Sequence, residues 1–78
     1  DCTLATVGLT AANYPPPGMM FAAGQTLGIA QWSTLYTLLG VQYGGNGTST
    51  FNIPDLRKHA PAGLRYTICV TGVFPANS

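Results

Sequence analysis

The spacing of hydrophobic and polar positions changes along the chain, and each change predicts an element. From Thr3 to Ala12 the residues alternate, with Ala5, Val7, Leu9 and Ala11 on one face and Thr6, Gly8 and Thr10 on the other. This predicts a half-buried strand. Asn13-Tyr14-Pro15-Pro16-Pro17-Gly18 stops it, because three prolines fix φ and remove three backbone donors. The segment reads as an extended loop closed by a glycine turn, with a proline-rich ligand for an aromatic groove as the functional alternative. Met19 to Ala23 is a short apolar strand, Gly24 a turn, and Gln25 to Leu27 another short strand.

From Ile29 the period becomes helical. Trp32, Leu35, Tyr36 and Leu39 fall at i, i+3, i+4 and i+7 with Leu38 beside them, and Gly40 follows as a C-terminal αL cap would. Ala30 stands where a Ser or Asp cap is expected, so packing must hold that end. At this spacing the Trp-Leu-Tyr stripe reads as core rather than as the lining of a cleft. Val41 to Thr50 is a glycine-rich turn, since Gly44, Gly45, Gly47 and an Asn46-Gly47 step mark positive φ. Phe51-Asn52-Ile53 is a short strand ended by Pro54, and Pro61-Ala62-Gly63 is another turn. Tyr66 to Thr71 alternates as a final strand. Short strands around one α-helix make a small mixed α/β (α+β) domain spanning residues 1–78.

Composition sharpens this picture. A chain of 78 residues buries only roughly 60–65% of its unfolded surface, so it needs a staple or partner subunits. Charged residues are 6% of the chain, against about 25% in an ordinary soluble domain. That suits a surface partly hidden in an oligomer, or a neutral protein outside the cell. Disorder is excluded by the same low charge together with 10% aromatics. Nucleic acid is excluded as partner, because Arg57, Lys58 and Arg65 are the only lysines and arginines and make no groove. No apolar run approaches a membrane span, and no signal-peptide pattern is present. A chain opening Asp1-Cys2 reads as a processed mature protein or a trimmed one.

Cys2 and Cys69 lie near opposite ends. They read as one long-loop disulfide, as two buried thiols, or as an intermolecular bridge. Without CxxC spacing and with one histidine, a zinc site has no signature, and no cofactor is called for.

Candidate chemistry is sparse. The Gly44–Gly47 turn follows a helix and contains no lysine, so it lacks the pattern of a phosphate loop. Asn46-Gly47-Thr48 matches the N-glycosylation triplet. Asp55 to His59 holds an acid, two cations and the only histidine, but no serine lies on a nucleophile elbow. The expected roles are Asp55 paired with Arg57 or capping a turn, His59 at the surface, and no enzyme.

The order of residues resembles the phage tail collar domain, shared by phage tail fibre proteins and bacterial microcystin-dependent proteins. The matching stretches are Pro16-Pro17-Gly18, Gly24-Gln25, Leu38-Leu39-Gly40, Tyr43-Gly44-Gly45-Asn46-Gly47, Thr50 to Asn52 around Phe51, Pro54-Asp55-Leu56-Arg57 and Gly72-Val73-Phe74-Pro75. Departures from the family pattern are Met19 after the Pro-x-Gly turn, Ala22-Ala23 before Gly24-Gln25, and Lys58-His59-Ala60-Pro61 after the Pro-Asp-Leu-Arg motif. Only Ala62 to Arg65 remains of a usually long variable segment, which makes this a minimal collar domain. The resemblance implies a small α/β fold assembling as a homotrimer, in a virion-associated, secreted or otherwise extracellular protein.

Two functions follow as expectations. One is a trimeric, lectin-like module that binds cell-surface glycans through Tyr14, Tyr43, Asn46, Arg57, Lys58, His59 and Arg65. Aromatic faces would stack on sugar rings, and the cations would favour acidic sugars. The other is a structural adapter of a tail fibre or tail-like particle, without a small-molecule ligand.

Overall fold

The computed structural model describes residues 2–75. In chain order the elements are β1 (Val7–Thr10), β2 (Met19–Phe21), β3 (Thr26–Gly28), α1 (Ser33–Leu39), β4 (Thr50–Asn52), a 3-10 turn (Arg57–His59) and β5 (Arg65–Cys69). Among the described residues the strands form two antiparallel sheets, one ordered β1-β5-β2 and one pairing β3 with β4. The mixed α/β class expected from the pattern is the one observed.

The last strand in sequence is the middle strand of its sheet. β5 pairs Ile68 with Val7 on one side and with Met20 on the other. As the middle strand β5 is paired along both edges, and its residues Thr67, Ile68 and Cys69 are buried. The core gathers Ile68 and Cys69 with Leu4, Ala22, Leu27, Leu35, Leu39, Phe51, Ile53 and Val70. The helical stripe is core, as its spacing implied. Leu35 and Leu39 are buried, Trp32 packs against the cluster, and the Tyr36 ring meets Phe51 edge-on at 5.3 Å between centroids.

The opening strand differs from its prediction in length and in cover. It begins at Val7 rather than Thr3, because Ala5 adopts φ 70°, a left-handed conformation. The Ala5 N–H donates to the Cys69 carbonyl and the Cys69 N–H to that of Thr6, both at 2.9 Å. Two residues thus oppose one in a bulge, with alanine where glycine is usual. Beyond the bulge Val7 and Leu9 pair with Ile68 and Tyr66, so they share the face that carries buried Ile68. β1 is the edge strand and overhangs the core, leaving Val7 41% and Leu9 48% exposed. The predicted half-buried strand is therefore uncovered on its apolar side.

The helix is shorter than its pattern. Ile29 to Gln31 form turns, Trp32 is the N-cap without a side-chain bond, and the missing cap inferred from the sequence is missing here. Gly40 ends the helix at φ 59° and ψ −146°, an extended mirror-image conformation in place of the expected αL cap. Its N–H still bonds the Tyr36 carbonyl at 2.8 Å.

Cys2 and Cys69 form an intramolecular disulfide with Cα atoms 6.0 Å apart, closing a loop of 67 residues' separation. Of the three readings of the cysteines, this is the one observed. Backbone bonds reinforce it: Val73 N–H donates to the Cys2 carbonyl at 2.9 Å and Leu4 N–H to the Val73 carbonyl at 2.8 Å. The two ends of the described chain are thereby tied together.

Candidate functional site

The glycine turn after α1 is held mainly by the Asn46 side chain, with Thr50 Oγ1 accepting the Asn46 N–H at 3.2 Å. Asn46 Oδ1 accepts the backbone N–H groups of Thr48 at 2.8 Å, Ser49 at 2.8 Å and Thr50 at 3.0 Å, while its Nδ2 donates to Ser49 Oγ. This is the local side-chain bonding that places Asn in turns. The amide proposed as a ligand or glycan acceptor is thus occupied within the turn. Gly45 lies flat against β4 at φ 99°, where a Cβ would stand 2.6 Å from the Thr50 carbonyl oxygen. Tyr43 is exposed beside it.

A second group forms at the 3-10 turn. Ala23 bridges Asp55, and the Leu56 N–H donates to the Ala22 carbonyl at 2.8 Å, which docks this turn against the end of β2. The Asp55 carboxylate meets Arg57 with both oxygens, Nε at 2.9 Å and Nη2 at 2.7 Å. It also accepts the Arg57 backbone N–H at 3.2 Å. The Arg57 bonds lower the Asp55 pKa from the ordinary 3.8 to about 2, and the carboxylate in turn raises that of Arg57. The sequence expectation of an Asp55–Arg57 pair is met. The carboxylate that a catalytic His59 would need is spent on Arg57, and His59 is exposed.

Arg65, at the start of β5, lays its guanidinium over the Phe21 ring at 5.6 Å and donates Nη1 to the Ala12 carbonyl at 3.0 Å. Arg57 and Arg65 line one cavity of about 330 Å³, floored by Phe21, Ala22, Leu64 and Tyr66. The other predicted residues do not join them. Tyr14 is 75% exposed in the proline loop, Tyr43 and Asn46 belong to the glycine turn, and Lys58 and His59 sit on the 3-10 turn outside the cavity lining. Sequence reasoning missed Phe21, Leu64 and Tyr66. Tyr66 carried the only hint, lying next to Arg65 in an alternating strand. A further cavity of about 240 Å³ lies beside the start of α1, between Trp32, Leu35, Leu4 and Val70.

Among the described residues no group of three or more His, Cys, Asp or Glu converges as a metal site would require. No described helix is long and apolar enough to cross a membrane.

Against known proteins, the sequence model of a family described as Phage Tail Collar Domain matches residues 5–61. No curated relative and no solved structure matches the chain. The matched span contains both the Asn46 turn and the Asp55–Arg57 pair, and stops short of β5.

Proposed function

The chain belongs to the phage tail collar domain family, and from that premise we propose that it serves as a structural assembly domain of a phage tail fibre or tail-like particle, working as a homotrimer. The collar family accounts for a virion-associated role without any ligand chemistry.

One observation carries the oligomeric part of this reading. Val7 and Leu9 extend the buried face of the β1-β5-β2 sheet past the reach of the single chain's own core. Val73 and Phe74, near the disulfide-tied ends, are also exposed. Few charges stand on such a surface to oppose its burial, the charged share of the chain being 6%. Sedimentation of the purified chain tests the reading directly. A double change Val7→Thr with Leu9→Thr is expected to leave the chain folded and shift it toward monomer.

Glycan binding through Tyr14, Tyr43, Asn46, Arg57, Lys58, His59 and Arg65 has a narrower base. The seven are spread over the proline loop, the glycine turn, the 3-10 turn and β5, and Asn46 and Asp55-bound Arg57 already have partners. An assembly domain without a sugar ligand is expected to give no specific signal on a glycan array. A specific glycan lost on Arg65→Ala or His59→Ala would restore the lectin reading.

A further inference from the structure

All three lysine and arginine side chains of the chain fall between positions 57 and 65, so its side-chain positive charge is confined to one stretch of sequence. Two of them, Arg57 and Arg65, line the same cavity. Each guanidinium is anchored by part of its donor set only. Arg57 uses Nε and Nη2 on Asp55, and Arg65 uses Nη1 on Ala12, leaving Arg57 Nη1 and Arg65 Nε and Nη2 without a bond among the described residues. The planar fork of a guanidinium suits a carboxylate. Asp55 neutralises one of the two charges, while Arg65, and Lys58 next to Arg57 in sequence, leave residues 55–65 net positive.

The floor selects the rest of the ligand. Phe21, Ala22, Leu64 and Tyr66 offer apolar surface and one phenol. A polyhydroxylated ring could set its C–H face on this floor, but its several hydroxyls would have only the Tyr66 phenol and the free guanidinium N–H groups as partners. An apolar side chain would lose nothing. The volume of about 330 Å³ sits at the small end of ligand pockets, which run from roughly 300 to 1,000 Å³, and has room for one large side chain.

We propose that this cavity is a docking site for an acidic segment of a partner polypeptide, seating one apolar side chain on the floor and a neighbouring carboxylate on Arg57 and Arg65. The site lies within one chain and does not depend on the number of copies assembled.

Titration of the ¹⁵N-labelled protein, followed by its amide spectrum, tests this with three probes: N-acetylphenylalanine, its uncharged carboxamide, and N-acetylneuraminic acid. The acetylated amino acid is expected to give saturable shifts confined to Phe21, Arg57 and Leu64 to Tyr66, at millimolar strength. The carboxamide is expected to bind about 5-fold more weakly, and raising the salt to ~0.5 M to weaken the acid alone. Arg65→Gln is expected to reduce the acid's affinity by a similar factor with the remaining spectrum unchanged. Where that change disturbs Phe21, Arg57→Gln supplies the same comparison. Equal binding of acid and carboxamide, tighter binding of the acidic sugar, or shifts scattered over the surface would each overturn the proposal.

Discussion

Asn46 Oδ1 lies 2.8 Å from the backbone nitrogen of Thr48 and accepts its hydrogen, as it does those of Ser49 and Thr50. One carbonyl therefore gathers three consecutive N–H groups of the return from α1 into β4. Asn46→Ala removes the acceptor of three N–H groups, of which water can recover part because the turn is exposed. The expected loss is about 1–2 kcal/mol. Asn46→Asp keeps an acceptor in place and should cost less than half as much. Paired urea denaturation curves measure the difference, and equal losses would show that the amide's donor side matters more.

Gly45, the residue before Asn46, presses on the same strand. A methyl there would fall on the Phe51 Cα and 2.6 Å from the Thr50 oxygen, at a φ of 99° that L-residues rarely adopt. Gly45→Ala is expected to destabilise by roughly 3 kcal/mol or to prevent folding. Gly63 has a similar φ of 78° and nothing within 4 Å, so Gly63→Ala should cost only about 1 kcal/mol, the backbone term by itself. Thermal melts of the two variants separate close approach from conformation.

The Cys2–Cys69 bridge closes 67 residues' worth of chain. On the chain-entropy account it contributes about 4 kcal/mol, much of the stability available to a domain of this size. Cys2→Ala with Cys69→Ala is expected to lower the melting temperature steeply, and reductant should do the same to the unaltered chain. A midpoint unmoved by either would mean that the Val73–Cys2 and Leu4–Val73 backbone bonds suffice to hold the ends.

Asp55 gives a defined pH response. Its folded-state pKa, about 2 against the ordinary 3.8, is depressed by Arg57, so the fold favours the ionised form. The stabilisation from this pair is complete above the unfolded carboxylate value and disappears as pH falls through about 2. Following the Asp55 carboxyl resonance by NMR should place its midpoint near pH 2, and Arg57→Gln should return it toward 3.8.

How far the sequence could be read depended on whether local spacing or distant contact decided each feature. The Trp32–Leu39 stripe, the positive-φ glycines and the Asp55–Arg57 pair lie within a few residues of their causes, and all were legible. The exposure of Val7 and Leu9 was not, because alternation identifies a face but not whether anything covers it; that depends on β5, some sixty positions away, taking the middle of the sheet. The cavity was half legible for the same reason. Arg57 and Arg65 stood out by charge, whereas Phe21 reaches Arg65 through the pairing of β2 with β5 and Arg57 through the docking of the 3-10 turn on the end of β2.

The assembly reading rests on the uncovered Val7–Leu9 face, and sedimentation velocity of the disulfide-intact chain at micromolar concentration tests it most directly. The expected result is a species of three times the 8.1 kDa chain mass that gives way to single chains in Val7→Thr with Leu9→Thr. A single 8.1 kDa species in the unaltered protein would contradict it.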